Sequence, residues 1–285
     1  MFGYLSTDYH NSLLEDLVHY RDLPFMVRSV GEYKELLSVY PFLSRGDTPE
    51  FVISSIIREL NESKEYVCST IVTDPMDDPP QVYDNSILDV FRTHYIIDLQ
   101  SWSIDSCIRN TKKNIKIAIR NNDSVTVSTS PSEKEIDMFY TVYQNTVRKH
   151  NITGICNFSK LKLEKQLKSP GAVLVYCNEN DLGMQFYFVQ GSNVYWHLSG
   201  YTELGYARRA SYRLSHSAIM FFKNLGFKKL ILGSGAGNPG LEQYKKGLST
   251  ESKYNYMIKT IHNQEVYDKL AIPGNTFFPA FRTGL

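Results

Sequence analysis

Apolar and polar positions along this chain follow two rhythms. In EFVISSIIRELNES (50–63) the apolar residues Val52, Ile53, Ile56, Ile57 and Leu60 recur three and four apart, which sets them on one face of a helix. EYVCSTIVTD follows directly and is rich in β-branched residues, the composition of a strand. DPMDDPP (74–80) predicts a loop, because proline continues neither element. HYIIDLQ (94–100) and SVTVSTS (124–130) predict two more strands. SEKEIDMFYTVYQNTVRKH (132–150) opens with Ser132 and has Glu135 three residues on, the spacing of a capping box at a helix start. NFSKLKLEKQLKS (157–169) predicts the next helix, ended by Pro170 and Gly171. AVLVYC (172–177), LGMQFYFVQ (182–190) and NVYWHLSGY (193–201) are divided by NEND and by Gly191-Ser192, and predict an antiparallel meander. YARRASYRLSHSAIMFFKNLG (206–226) predicts one long helix that buries Ala210, Leu214, Ala218, Phe221, Phe222 and Leu225 and stops at Gly226. KKLILGS (228–234) is a short continuous apolar run, as in a strand at the centre of a sheet. YNYMIKTI (254–261) predicts a final strand, and the aromatic tail NTFFPAFRTGL is too apolar for a disordered end.

SIDSCIRNTKKNIKIAIRNN (103–122) predicts an amphipathic helix that Ser103 can cap. Ile108, Ile115 and Ile119 fall on one face. Lys112, Lys116 and Arg120 recur every four residues on a neighbouring face, widened by Arg109 and Lys113. Two readings fit this stripe: a solvated helix face, or a surface for phosphates or a nucleic-acid backbone. The second stays open because no full set of acids is interleaved with the cations.

Composition narrows the classes. The 285 residues allow one large domain or two smaller ones, and 42% hydrophobic content supports a sizeable core. Twenty Tyr supply much of the aromatic content, and their apolar bodies and polar tips suit half-buried clefts. A net charge of +1 argues against broad electrostatic binding to nucleic acid, and DNA is not an expected partner. Cys68, Cys107, Cys156 and Cys177 form no CxxC pair, and no His stands at metal-ligand spacing from them. They predict reduced, packing cysteines in a cytoplasmic protein without a metal site. The start, MFGYLSTDYHNSLLEDL, is unlike a signal peptide, and no apolar run approaches the roughly 20 residues that span a bilayer.

The stretch LGSGAGNPGLEQYKKG (232–247) ends the central strand on glycine and places Lys245 and Lys246 just beyond. It is not read as a dinucleotide fingerprint: GSGAGNPG follows a strand, but LEQYKK predicts only a short turn of helix behind it. From residue 132 the order is helix, helix, three antiparallel strands, long helix, central strand, glycine loop, lysine pair, final strand. That is an α+β layer arrangement.

This order and these residues resemble the GNAT acyltransferase superfamily, and within it the FemAB-like branch, which takes in peptidoglycan-bridge aminoacyltransferases and polysaccharide-cluster acetyltransferase domains. TKKNIKIAIRNNDSVTV looks like the branch's basic helix and strand, and FYTVYQNTVRKHNITGICNFS like its next helix and turn. YWHLSGYTELGYARRASYRL looks like its strand, loop and long helix. LILGSGAGNPGLEQYKKGLST looks like its glycine segment ending in G-L-x-x-F-K-x-G, and FFPAFR like the tail of the polysaccharide-cluster members. The likeness covers about residues 90 to 285. It implies a mixed, mostly antiparallel sheet flanked by helices, built as two GNAT-like halves. The first, degenerate half would be 1–130, including the basic helix, and the acyltransferase half 131–285. Two positions depart from the pattern. Tyr244 replaces the usual Phe, and GYARRASYRL lacks the paired glycines of the GNAT pyrophosphate loop.

The resemblance implies transfer of an acyl group to an amine of a small-molecule or lipid-linked cell-envelope or polysaccharide precursor. Acyl-CoA, acetyl-CoA for one, is the expected donor. Aminoacyl-tRNA is the alternative donor, favoured by the basic helix with Lys112 and Arg120. A GNAT-like module that binds without catalysis is the alternative of another class. Such transfer needs an unprotonated amine, a held carbonyl, a stabilised oxyanion and a proton for the leaving group. Lys245 matches the family lysine at the donor or acceptor cleft. Gly233, Ser234, Gly235, Gly237 and Tyr244 would line the same place, where glycine lets the backbone approach a ligand. The bland alternative is a bare turn with solvated lysines. If Trp196 faces the core, Tyr195, His197 and Ser199 face the other side together. His197 is then either a general base or a hydrogen-bonded structural residue. Tyr201, Arg208, Arg209 and Tyr212 would stand at the entrance to the long helix, with the arginines as a diphosphate clamp or as surface residues. Glu203 is a second base candidate.

Overall fold

The computed structural model describes residues 3–13, 16–20, 23–39, 49–78, 80, 81, 83, 85–153, 157–178 and 182–283. Cys156 and most of the NEND turn lie outside them. In chain order the elements are α1 (Thr7–Ser12), β1 (Leu17–Tyr20), β2 (Leu23–Val30), β3 (Tyr33–Ser38), α2 (Pro49–Ser63), β4 (Cys68–Val72) and β5 (Ser86–Asp98). Next come α3 (Arg109–Arg120), β6 (Val125–Ser128), α4 (Glu133–His150), α5 (Lys160–Leu167), β7 (Ala172–Cys177), β8 (Gly183–Gln190) and β9 (Asn193–Tyr201). The chain closes with α6 (Glu203–Ala207), α7 (Ala210–Asn224), β10 (Lys229–Gly233), α8 (Pro239–Leu248), β11 (Glu251–Ile261) and α9 (Gln264–Leu270).

The chain forms two compact units. One takes in residues 3–13 and 93–253, the other 16–92 and 254–283, so the divisions fall inside β5 and β11. The basic helix α3 therefore belongs to the same unit as β6 to β10.

In the larger unit the strands run in the order β5-β10-β9-β8-β7-β6. All neighbours are antiparallel except β9 and β10, which are parallel and joined through α6 and α7. The meander read from 172–201 is present, and KKLILG lies between β5 and β9, inside the sheet as its apolar run implies. Ile97, Leu99, Tyr187, Leu214, Ala218, Phe222, Leu230 and Leu248 pack into one buried cluster there. In the smaller unit β1, β2 and β3 are an antiparallel run. β3 and β4 are a parallel pair joined through α2, and β11 lies antiparallel to β4. Helix α2 buries Val52, Ile53, Ile56, Ile57 and Leu60, the five positions its sequence period selects. This is a mixed α+β fold with mostly antiparallel sheet flanked by helices.

Several boundaries differ from the sequence reading, each for a local reason. The segment 103–122 is not one helix. Ser103 caps a single turn at Ile104–Ser106, then Cys107 and Ile108 take extended ψ values of 150° and 151° before α3 begins. Ile108 is thus outside the helix and 48% exposed, not part of its buried face. The segment 206–226 breaks at Arg209, which adopts a left-handed φ of 60° between α6 and α7. Leu225 lies past the end of α7 as its C-cap and is 60% exposed instead of buried. LEQYKK is the middle of the ten-residue helix α8. It starts where the Asn238 side chain accepts from the Leu241 amide and Pro239 takes the first turn, where a missing N–H costs nothing.

Candidate active site

The glycine loop leaves β10 opposite β5. Gly233 pairs with Tyr95 across an irregular register, and its φ of 76° turns the chain out of the sheet. Ser234 follows, then Gly235, Ala236 with a left-handed φ of 49°, and Gly237 at 79°. Gly235 runs so close to α8 that a Cβ on it would lie 2.8 Å from the Glu242 Cα. At the far end of α8, Gly247 faces α3, where a Cβ would come 2.1 Å from Thr111 Oγ1. The glycine that closes the K-x-G pattern therefore serves helix packing. It lets α8, which carries the lysines, lie directly against the basic helix.

Lys245 is half-buried and donates from Nζ to the Ser234 carbonyl at 2.7 Å. Its ammonium also stands 5.1 Å from the centroid of the Trp196 ring, within cation–π range. The loop, the lysine and β9 thus meet at one point. Lys246 is exposed. The β9–β10 pairing ends at Ile231 and Tyr195, and β9 runs on to Tyr201. Along that free stretch the Trp196 indole donates to the Leu198 carbonyl at 3.0 Å.

Behind Lys245 lies a buried polar network. Tyr244 bonds Ser215 Oγ at 2.8 Å and donates to the Ser211 carbonyl at 2.9 Å, while its ring meets that of Tyr212 at 4.8 Å. The Tyr244 hydroxyl, which the phenylalanine of the resembled pattern lacks, is therefore used in fixing α8 to α7. Gln185 donates to the Tyr201 hydroxyl at 2.7 Å and to Ser215 at 3.0 Å, and accepts from Tyr187 at 2.5 Å. Burial pushes the Tyr244, Tyr187 and Tyr201 phenols well above their ordinary range, so all three are neutral here. Tyr201, at the end of β9 ahead of α6 and α7, is buried and belongs to this network.

His197 is not brought to Lys245. It is the extra residue of a bulge, since Phe186 pairs with Leu198 and Tyr187 with Trp196. Trp196, paired with Tyr187, lies on the face of the network, and strand alternation sets His197 on the opposite face. There His197 Nδ1 meets the Tyr4 hydroxyl at 2.9 Å and Nε2 meets Gln166 Oε1 at 3.0 Å. Part of the residue stays accessible, yet its ring lies among Tyr4, Tyr9, Phe158, Phe186 and Phe188. That apolar enclosure pushes its pKa down to about 3. The same extra residue returns Ser199 to the face of Gln185, away from His197, against the alternation expected from the sequence.

Both arginines at the α6–α7 break have partners inside the protein. Arg208 grips Asp123 at 2.5 and 3.3 Å, and Asp123 is buried. Arg209 donates to Asn114 of α3 at 3.0 Å. They fasten the start of α7 to α3 and its following loop. Glu203 pairs with Lys149 at 2.8 Å on an exposed surface. Arg109, Lys112, Lys113, Lys116, Ile117 and Arg120 lie along one open face of α3, with Lys112 also bridged to Asp105. Sequence reasoning missed Tyr95 and Glu242. Tyr95 donates to Glu242 Oε1, and that hydrogen bond is the main reason its phenol is pushed up to about 12. The glycine at 235 was the available signal for a side chain lying beneath the loop.

No family model matches the chain, and no curated protein matches its sequence. Solved structures do. A crystal structure of FemX superposes with a TM-score of 0.67 at 10% identity, covering 93% of each chain. The structure of L-PGS from Bacillus licheniformis gives 0.66 at 12% identity, over 88% of this chain and 86% of that one. The C-terminal domain of a putative lysylphosphatidylglycerol synthetase from Agrobacterium fabrum gives 0.62 at 8% identity, over 100% and 95%. Identities this low speak to fold alone, and the fold is the GNAT, FemAB-like one that the sequence motifs resemble.

Proposed function

We propose that this chain is an acyltransferase that moves an aminoacyl group from a tRNA ester to an amine of a cell-envelope precursor. The carrying observation is that α8, the helix that carries Lys245, packs against α3 at Gly247, and that α3 bears five cations along one open face. An activated acyl group on a polyanionic carrier fits that pairing. The carrier's phosphates lie along Arg109, Lys112, Lys113, Lys116 and Arg120, and Lys245 balances charge that develops on the reacting carbonyl. The names of the fold relatives supply context. FemX carries the name of the branch that contains peptidoglycan-bridge aminoacyltransferases, and a lysylphosphatidylglycerol synthetase is named for an aminoacyl product.

A second reading, acetyl-CoA or another acyl-CoA as donor, is favoured by the stretch of β9 beyond Tyr195 that β10 leaves unpaired, an edge to which an extended thioester arm could add. Against it, Arg208 and Arg209 are engaged with Asp123 and Asn114, so a ready diphosphate clamp is lacking at α7. Donor binding separates the two. The tRNA reading expects affinity that falls steeply with salt, and a combined Lys112→Ala, Lys116→Ala, Arg120→Ala variant should lower that slope by about 3, roughly one per cation. Calorimetric binding of CoA with no salt-steep tRNA affinity would favour the second reading. Binding of neither donor would leave a non-catalytic module.

A further inference from the structure

Lys245 is not the only ionisable group that the glycine loop meets. Three side chains stand along three successive residues of the backbone. Tyr95 sits across from Gly233, Lys245 binds the Ser234 carbonyl, and Glu242 lies under Gly235, where a Cβ would come 1.9 Å from Oε2. Glu242 precedes Lys245 by one turn of α8, so both project on one side of the helix. Tyr95 is buried and donates to Oε1. The carboxylate is thereby fixed through one oxygen, and Oε2 is turned to the loop.

We propose that Glu242 is the proton-transfer residue of this site and that Tyr95 is the residue that positions it. The inference rests on the acyl-transfer reading above. A neutral amine attacks the acyl carbonyl, forming the C–N bond, and the tetrahedral adduct carries a proton too many on nitrogen. Glu242 Oε2 takes that proton and hands it to the leaving oxygen of the tRNA ester, or to the sulfur of a thioester, as the bond from carbon breaks. Glu242 begins and ends as a carboxylate, so the step balances without a further reagent. Lys245, one turn away, carries the compensating positive charge. The other two base candidates are placed elsewhere. His197 has both nitrogens engaged on the opposite face, and Glu203 is held by Lys149 at the surface.

The test is the steady-state kinetics of full-length protein, assayed with aminoacyl-tRNA and with acetyl-CoA against an amine-bearing envelope precursor. Glu242→Gln keeps the side chain's size and should lower kcat by about 10²- to 10⁴-fold, with KM within a few fold. Tyr95→Phe keeps the carboxylate but releases Oε1. It should lower kcat by about tenfold with KM within a few fold, and should cost nothing further in a Glu242→Gln chain. A merely structural contact would lower the melting temperature and leave kcat in place. An active wild type whose Glu242→Gln variant keeps its kcat overturns the role alone. A wild type inactive with both donors overturns the transfer reading and this role with it. Should Glu242→Gln fail to fold, the kcat of Tyr95→Phe decides.

Discussion

Both units contain the same device, a parallel strand pair joined through a helix, and they finish it differently. In the smaller unit β3 leads through α2 to β4, and the chain beyond β4 is tied back at once. Thr73 exchanges backbone and side-chain hydrogen bonds with Tyr256, its carbonyl accepts from Asn255, and Asp74 caps the Met76 amide at 2.7 Å. In the larger unit β9 leads through α6 and α7 to β10, and the chain beyond β10 is held off by glycine. Side chains occupy the gap: Lys245 on the Ser234 carbonyl, Glu242 under Gly235, Trp196 on the free stretch of β9. The smaller unit's strand end is closed by short polar side chains and by the neighbouring strand, which use up its backbone groups. The larger unit's is met by the ionisable side chains of a following helix, which can exchange those contacts for a substrate.

The largest expected effects separate the units. Leu60 is fully buried on α2, and Leu60→Ala should cost about 2–5 kcal/mol of stability through transfer and cavity terms. Lys245→Ala should lower turnover by about 10²- to 10³-fold, the loss typical of a removed transition-state donor, with the melting temperature little changed. Denaturation midpoints and kcat, measured on both variants, check this. A Lys245→Ala protein that turns over normally would sink the contrast.

A smaller effect sits at the joint between α8 and α3. Gly247→Ala places a methyl against Thr111 and Ile108 and should cost about 1–3 kcal/mol as overpacking. Because the pressed atom is the Thr111 hydroxyl, Thr111→Ala in the same chain should return part of the loss, and a double-mutant cycle reads that coupling. Additive losses would mean that the helices do not meet as tightly as the glycine implies.

The sequence made the periodic elements legible and the exceptions opaque. Helix α2 and the meander 172–201 follow from hydrophobic spacing, because burial on one face sets that spacing. The order of strand, glycine loop and lysines carried the resemblance that the superpositions with FemX and L-PGS now match in fold. What failed were positions where one residue changes the count. The bulge at His197 adds a residue to β9, and any parity argument across NVYWHLSGY then assigns Ser199 to the wrong face. Arg209 in a left-handed conformation breaks a helix whose apolar period continues across it. Glu242 is not legible in the sequence because its partner, Tyr95, lies 147 residues away, and no local pattern joins them.

The smallest effect compares two buried imidazoles, one in each unit. His262 meets Asn61 at 2.6 Å and Ser69 at 2.9 Å, and burial pushes its pKa down to about 4; His197, among its aromatic rings, lies at about 3. Each is neutral in the folded chain and ordinary, near 6.5, in the unfolded one. Between pH 6.5 and those values the unfolded chain holds the extra proton, so stability rises with pH across that window. It is present in full above about pH 6.5 and lost progressively as the pH falls toward 4 and then 3. His197→Gln and His262→Gln should each flatten that slope, measured as the denaturation midpoint from pH 7 to pH 4. The two units part on catalysis. With Glu242 handling the proton, His197→Gln should leave the neutral-range limb of the pH–rate profile where it was. A limb that disappears with His197 would return the base to that residue and would require the bulge on β9 to rearrange when substrate binds.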